Sequence, residues 1–359
     1  MQQEHSSYPG EFWTTRATAS LPDFPELALY NRLSDECLNK IELINTLNPF
    51  TTDVPTVICV CRNDRSRLEK FLPHYLSLGA RSIHVIDNAS EDDTSSFAAT
   101  FPQVTVWRVA GSYSQAAFGQ MWVGALARRF GLGKWILNVD ADELLVYSSM
   151  GTKSIADLQA LLERQGRDRL AAPLIDLYPQ DLSDSSQHSS KGLFSPLQSP
   201  LYQEAPFMDK FGPSYYYEET RLGLQLHGGI RWRLAREEKQ ERGPCLNKVP
   251  LARWTASTAY ANAHFPYPHT SLNTKPCAAL LHLKMMQDFA PRVAAALREN
   301  QHWKNSTEYR LYEKWLCKNS SGELFSEDHS IVYSGVDTLL SEGIISRLDW
   351  SLDRGAFTK

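Results

Sequence analysis

The chain has 359 residues, 42% of them apolar, and a formal net charge of −4. Such a length can bury one large core with extensions, or two smaller ones. The weakly negative balance excludes a general nucleic-acid binder, and no apolar run reaches the ~20 residues that a bilayer span requires.

The opening residues, MQQEHSSYPGEFWTT, carry no basic segment before an apolar core, so no secretory signal is read there. Residues 1–53 read as an N-terminal extension, with an amphipathic helix over 36–47 packed on the main domain. The six cysteines, at 37, 59, 61, 245, 277 and 317, form no CxxC pair, which removes the zinc signature. Cys59 and Cys61 point the same way on one strand and lack disulfide geometry. Free thiols in a reducing cytoplasm are expected.

From residue 55 the pattern becomes regular. Residues 56–61 (TVICVC) predict a buried strand. Leu68, Phe71, Leu72, Tyr75 and Leu76 recur at helical spacing, with Pro73 expected to break or kink the helix and Gly79 to end it. A second strand is predicted at 82–86, a helix start at 90–93, a third strand at 104–109, a helix over 115–130 and a fourth strand at 135–139. Alternating strands and helices predict an α/β, Rossmann-like fold, its mostly parallel sheet covered by helices on both faces. Farther on, a helix is predicted at 155–165, a strand at 170–177, a long polar loop at 180–215, a short strand at 280–284, and helices at 288–299 and 306–318.

Trp135 to Val139 runs straight into Asp140-Ala141-Asp142-Glu143. Three carboxylates at the end of an apolar strand are costly unless positive charge sits beside them. A divalent cation meets that need, since hard cations prefer oxygen ligands, and it can also hold nucleotide phosphates. Arg62-Asn63-Asp64 and Asp87-Asn88 fall at the ends of the first two strands, where such sheets bind ligands. The bland readings are a solvated turn for Asp140 to Glu143, an Asx-turn for Asp87 and a core histidine for His282.

CVCRNDRSRLEKFLPHYLSLGARSIHVIDNASEDDT and, after it, NVDADEL resemble bacterial family 2-type glycosyltransferases. The likeness continues through GGIRWRL, LNKVPLARW, AHFPYP, LLHLK and EYRLYEKWL, spanning residues 55–335. It implies a GT-A fold, a nucleotide-diphosphate sugar donor (UDP-linked), a divalent metal (Mn2+ or Mg2+) and transfer with inversion to a glycan or lipid-linked acceptor in surface polysaccharide synthesis. Such a protein would work in the cytoplasm, peripherally at the inner face of the membrane. The corresponding division is an extension over 1–53, a GT-A domain over 54–285 and a helical C-terminal segment over 286–359.

By the same resemblance, Arg62, Asn63 and Asp64 meet the nucleotide, Asp87 holds base or ribose, and Asp140 and Asp142 form the DxD pair. Asp142 is the direct metal ligand, His282 completes the metal site, and Lys284 reaches a phosphate. One departure is RND where relatives commonly read KNE, a shorter carboxylate. The catalytic base is sought downstream of Asp142. Asp209, in APFMDKFG, is the first choice, with Glu218 and Glu219 as rivals. Gly228-Gly229 reads as a hairpin turn, with Arg231 and Arg233 on one face of the next strand, either solvated or clamping a phosphate or acidic acceptor. Tyr215, Tyr216 and Tyr217 read as a packed strand or a sugar platform, and His264 as ending a strand near the site. Two competing functions are a nucleotidyltransferase, which would show a glycine-rich phosphate loop that CRNDRSR lacks, and a non-catalytic sugar-binding protein on the same fold.

Overall fold

Thr56–Cys61 (β2) lies at the centre of the sheet, because five of its six residues are buried and the strand can face apolar side chains in both directions. The computed structural model describes residues 26–182, 192–194, 228–237, 244, 246–260, 264–267, 276–286 and 288–351. On one side β2 pairs in parallel with Ile83–Asp87 (β3), which pairs in parallel with Val104–Val109 (β4). On the other side it pairs in parallel with Trp135–Asn138 (β5). Antiparallel strands flank this parallel centre. Ile41–Leu43 (β1) lies against β4, and Leu251–Arg253 (β10) lies between β5 and Arg169–Leu170 (β7). The result is one seven-stranded α/β sheet in the order β1-β4-β3-β2-β5-β10-β7.

The alternation along β2 sorts the core. Val57, Cys59 and Cys61 join one buried cluster with Leu68, Phe71 and Tyr75 of the helix Arg65–Ser77 (α2), Ala98 of the short helix Thr94–Ala98 (α3) and Leu158 of the helix Ile155–Arg164 (α5). Ile58 faces the other way, among Tyr30 of the helix Glu26–Leu38 (α1) and Trp122 and Leu126 of the helix Gln120–Phe130 (α4). Helices therefore cover both faces, as the alternating pattern predicted. Both Cys59 and Cys61 are free thiols on the same face.

A second, three-stranded sheet leans on this frame. Ala278–His282 (β13) pairs antiparallel with Glu143–Tyr147 (β6) and parallel with Leu174–Asp176 (β8). Two short antiparallel pairs lie outside both sheets. Ala259–Tyr260 (β11) meets Pro266–Tyr267 (β12), and Gly192–Phe194 (β9) meets Ile331–Tyr333 (β14). Beyond the small sheet, Phe289–Glu299 (α7) and Trp303–Lys318 (α8) pack with Gly229–Glu237 (α6) around Phe289, Tyr312 and Trp315.

Several expected boundaries are corrected. The N-terminal helix lies earlier than 36–47, and residues 41–43 instead extend the sheet edge. Pro73 does not interrupt α2. It sits on the exposed face, where water can take the hydrogen-bonding place its ring removes, while buried Leu72 and Tyr75 anchor the helix on either side. The helix expected over 115–130 begins only at Gln120, because Ala117, Phe118 and Gly119 all have positive φ and cannot extend a right-handed helix. The strand expected over 170–177 splits at Pro173, where the chain leaves the large sheet as β7 and enters the small one as β8. Gly229–Glu237 is a helix, so Arg231 and Arg233 do not share the face of a strand.

Candidate functional site

The parallel strands β2, β3 and β5 all deliver their carboxyl ends to one rim, where α/β sheets bind ligands. A cleft of about 1020 Å³ opens there, lined among others by Arg62, Asp64, Asp140, Asp142, His282 and Arg292. Its far wall comes from α7 and the start of α8.

The register of the small sheet builds the floor. His282 stands opposite Glu143 on one side and Asp176 on the other. Adjacent residues in register project to the same face of a sheet, so the three polar groups at these strand ends gather. Leu283 N donates to Asp142 O at 2.7 Å, tying the Asp140–Asp142 turn to the end of β13. His282 Nδ1 lies 2.6 Å from Asp176 Oδ1, and its Nε2 lies 3.5 Å from Asp142 Oδ2. Burial alone would lower the His282 imidazole, but Asp142 and Asp176 push it up to about 9. At Asp142 burial works to raise the carboxyl, and His282, with Arg67 and Lys284 behind it, outweighs burial and holds it well below the carboxylate range.

This donor set fits a divalent cation in part. A carboxylate that accepts from one imidazole nitrogen fixes the tautomer and leaves the other nitrogen as a ligand. Asp176 is placed to do this for His282, whose Nε2 faces Asp142 as a donor while the ring is protonated and becomes a ligand only when that proton leaves. Among the described residues no group of three or more His, Cys, Asp or Glu side chains is arranged to hold a metal ion by itself. Two donors, one oxygen and one nitrogen, is what the described chain offers.

The positive charge that the sequence called for beside Asp140 to Glu143 is supplied largely by the chain itself. Lys248 Nζ lies 2.8 and 2.6 Å from the two Glu143 oxygens and 3.3 Å from Asp140 Oδ2. Burial disfavours both charges of the main pair. Asp140 and Glu143 outweigh it at Lys248, which stays protonated. Burial prevails at Glu143, lifting its carboxyl to about 7 against the pull of Lys248. Glu143 Oε2 also accepts from Asp140 N at 2.9 Å.

At the other end of the cleft, the Arg62-Asn63-Asp64 segment is already engaged by α7. Arg292 reaches Asn63 O at 3.0 Å and Asp64 Oδ1 at 2.5 Å, and Arg67 Nη1 reaches Asp288 Oδ2 at 2.7 Å. Gln301 Oε1 accepts from Ser112 Oγ at 2.6 Å and Ser114 Oγ at 2.9 Å, closing the same side. Arg62 lies 3.2 Å from Glu91 and 3.7 Å from Glu299. Burial is the largest influence on Asp64 and raises its carboxyl despite Arg292 and Arg67.

Asp87 is not brought to the cleft. One of its oxygens accepts from Ser90 N and Oγ and the other from Ser95 Oγ, and the residue is buried. These local hydrogen bonds match the Asx-turn reading, while one lone-pair site of the carboxylate stays open and contact with base or ribose stays an expectation. Its neighbour Asn88 lines the cleft instead. Lys284 lines it as well, 3.3 Å from Glu308, which also pairs with Arg231 at 3.4 Å. Arg231 binds Asp176 at 2.8 Å, so it anchors the residue behind His282. Arg233 turns away, donating to Leu324 O and lying over the Tyr178 ring. His264, at the cleft wall, uses Nδ1 on Asn247 O. Asp209, Glu218, Glu219 and the three tyrosines at 215–217 lie outside the described residues.

Asp176, Lys248, Arg67, Arg292 and Glu308 escaped the sequence reading. Asp176 carried a related signal, an acid at the next-to-last position of the strand predicted at 170–177. Lys248 sits in the LNKVPL run, and a lone lysine in an apolar stretch invites the question of its partner.

The chain matches no protein-family profile and no curated protein sequence. The solved structures to which it is similar in part include two enzymes. One is a 4-diphosphocytidyl-2C-methyl-D-erythritol synthase, 19% identical, with 38% of this chain and 65% of that chain covered at a TM-score of 0.24. The other is a mannosyltransferase from Pyrobaculum calidifontis in complex with GDP-mannose and Mn2+, 18% identical, with 45% of each chain covered and a TM-score of 0.24.

Proposed function

We propose that the chain is a glycosyltransferase. In this reading it moves a sugar from a nucleotide-diphosphate donor, UDP-linked, to a hydroxyl of a glycan or glycolipid acceptor in surface polysaccharide synthesis. It works in the cytoplasm, at the inner face of the membrane where lipid-linked acceptors present themselves. The observation that carries the reading is the meeting of Asp142 and His282 at the cleft floor, with Asp176 2.6 Å behind the imidazole.

Asp142 and the Nε2 atom of His282 would hold a divalent cation, Mn2+ in preference to Mg2+ because imidazole is a ligand. When bound, that cation supplies positive charge against the charge growing on the leaving diphosphate. Asp176 keeps the imidazole oriented and its Nε2 turned to the cleft. Lys284 adds a second positive group at the cleft wall, in reach of the same phosphates. Arg292 and Arg67 hold α7 across the nucleotide end and limit access of water. The acceptor hydroxyl needs a carboxylate to take its proton as it attacks in a single inverting displacement. Asp288 and Glu308 face the cleft, but Arg67 and Arg292 engage the first. At Glu308 burial works to raise the carboxyl, and Lys284 and Arg231 outweigh it and hold it below the usual range. A carboxylate held so low is a poor proton acceptor. Asp209 therefore stays the first choice, with Glu218 next.

The test is product release. With Mn2+ and a panel of nucleotide-diphosphate sugars, a transferase of this kind leaks nucleoside diphosphate by hydrolysis even without acceptor. A nucleotidyltransferase instead releases pyrophosphate from a nucleoside triphosphate, and a sugar-binding protein releases neither. Absence of nucleoside diphosphate across the panel would remove the reading.

A further inference from the structure

We infer that Glu308, His302 and Tyr309 form a sugar subsite in the cleft, where Oε2 of Glu308 accepts a hydrogen bond from a hydroxyl and the two aromatic rings carry the apolar face of the sugar. The inference rests on the transferase reading above and adds to it the residues that hold a sugar ring.

The subsite lies on one face of α8. His302 directly precedes the helix and Tyr309 follows seven residues on, about two turns, so both project to the same side. Their ring centroids are 4.5 Å apart, and both half-buried rings line the cleft. Glu308 lines it beside them, with its side chain 31% exposed. One of its oxygens, Oε1, is taken. Tyr312 donates to it from the next turn of α8, Lys284 Nζ lies 3.3 Å away and Arg231 Nη1 lies 3.4 Å away. Arg231 is itself tied to Asp176 at 2.8 Å, so the carboxylate cannot rotate without breaking bonds to several elements. Among the described residues none donates to Oε2. Burial works to raise the Glu308 carboxyl, but Lys284 and Arg231 outweigh it and keep the group ionised.

A fixed, ionised oxygen with open lone pairs is a strong hydrogen-bond acceptor. It asks its occupant for a donor, and it repels a second negative charge at the same spot. The rings beside it ask for an apolar face. Burial lowers the His302 imidazole to about 4, so that ring is uncharged at neutral pH. A pyranose ring answers both demands, with hydroxyls at its rim and C–H groups on its face. Lys284, bonded to the same carboxylate, sets the subsite next to the place proposed for the diphosphate. Sugar beside phosphate is the order in which a nucleotide sugar presents its parts.

The test compares wild type, E308Q and H302L with Mn2+ and three kinds of probe: a nucleoside diphosphate, the matching nucleotide sugar, and methyl glycosides. Binding is read by calorimetry and by saturation-transfer NMR. If the subsite holds the donor's sugar, both variants bind the nucleotide sugar about tenfold more weakly, as loss of a charge-assisted hydrogen bond or a stacking face implies, and bind the nucleoside diphosphate as wild type does. If it holds the acceptor's sugar, nucleotide-sugar affinity stays and the loss appears with the methyl glycosides. Either result supports the subsite and says which sugar fills it. Equal losses of nucleoside diphosphate and nucleotide sugar in E308Q would make Glu308 a support for Lys284 alone and overturn the inference. Unchanged binding of every sugar probe, or no sugar binding by the wild type, overturns it as well. H302L leaves the ion pairs in place, so it decides if E308Q fails to fold. Glycoside binding that depends on Glu308, in a protein that releases no nucleoside diphosphate, would keep the subsite and remove the transferase reading.

Discussion

Asp87 and Asp142 both lie at the carboxyl rim of the sheets, and their sequence contexts lend them equal standing. What separates them is whether a short-range donor claims the carboxylate. Ser90 and Ser95 take both oxygens of Asp87, three and eight residues on. Among the described residues, the Asp142 carboxylate meets Arg67 and His282, both from distant parts of the chain. Serines near Asp87 were visible in the sequence, but their geometry was not. Asp87→Ala should therefore cost about 1–3 kcal/mol of stability through lost buried hydrogen bonds, read as a lower urea midpoint, while the folded protein keeps its nucleotide affinity. A variant of normal stability with weakened nucleotide binding would return Asp87 to the cleft. For the proposed base the split runs the other way. Asp209→Asn should leave donor binding near normal and lower kcat by about 100-fold or more. Transfer at the wild-type rate would pass the role to Glu218 or Glu219.

Elements with a single strong period were legible. Val104–Val109 falls where the alternating run predicts it, and α7 buries Phe289, Val293 and Ala296 at helical spacing. The helix Gly229–Glu237 was missed because two glycines precede a short segment whose arginines alternate. Its buried Ile230 and Leu234 are four residues apart, the spacing that should have decided it. The role of α7 was also hidden, since latching depends on arginines meeting acids more than 200 residues away. Arg292 holds α7 to Asn63 and Asp64 across one end of the cleft. Arg292→Met should loosen it, raising amide hydrogen exchange through residues 289–299 while β2 and β3 stay protected. Unchanged exchange in that helix would mean that the Arg67–Asp288 pair holds it unaided.

At the scale of the whole molecule, burial keeps four of the described histidines neutral. It lowers His74, His264 and His302 to about 4 and His84 to about 3. In the unfolded chain they titrate near 6.5, so below that pH the unfolded state binds more protons and stability falls as pH is lowered toward 4. Glu143, lifted to about 7, His282, lifted to about 9, and Asp64, raised by burial, work in the opposite direction, three groups against four. The melting temperature should decline already between pH 6.5 and 5, before most carboxylates titrate; a flat profile there would deny the histidines that part. The alternating strands and helices of the α/β class were readable because each obeys a local period. The site was only half readable, since Asp176, His282 and Lys248 converge through strand register and a buried crossover that no local pattern records. A crystal grown with Mn2+ and a nucleoside diphosphate, with the metal located by its anomalous signal, decides whether Asp142 and His282 hold a cation. One Mn2+ should be bonded to Asp142 and to Nε2 of His282, with phosphate oxygens in its remaining positions. A Mn2+ held elsewhere in the cleft, with His282 still closed on Asp142 and Asp176, would contradict it and make His282 a core histidine.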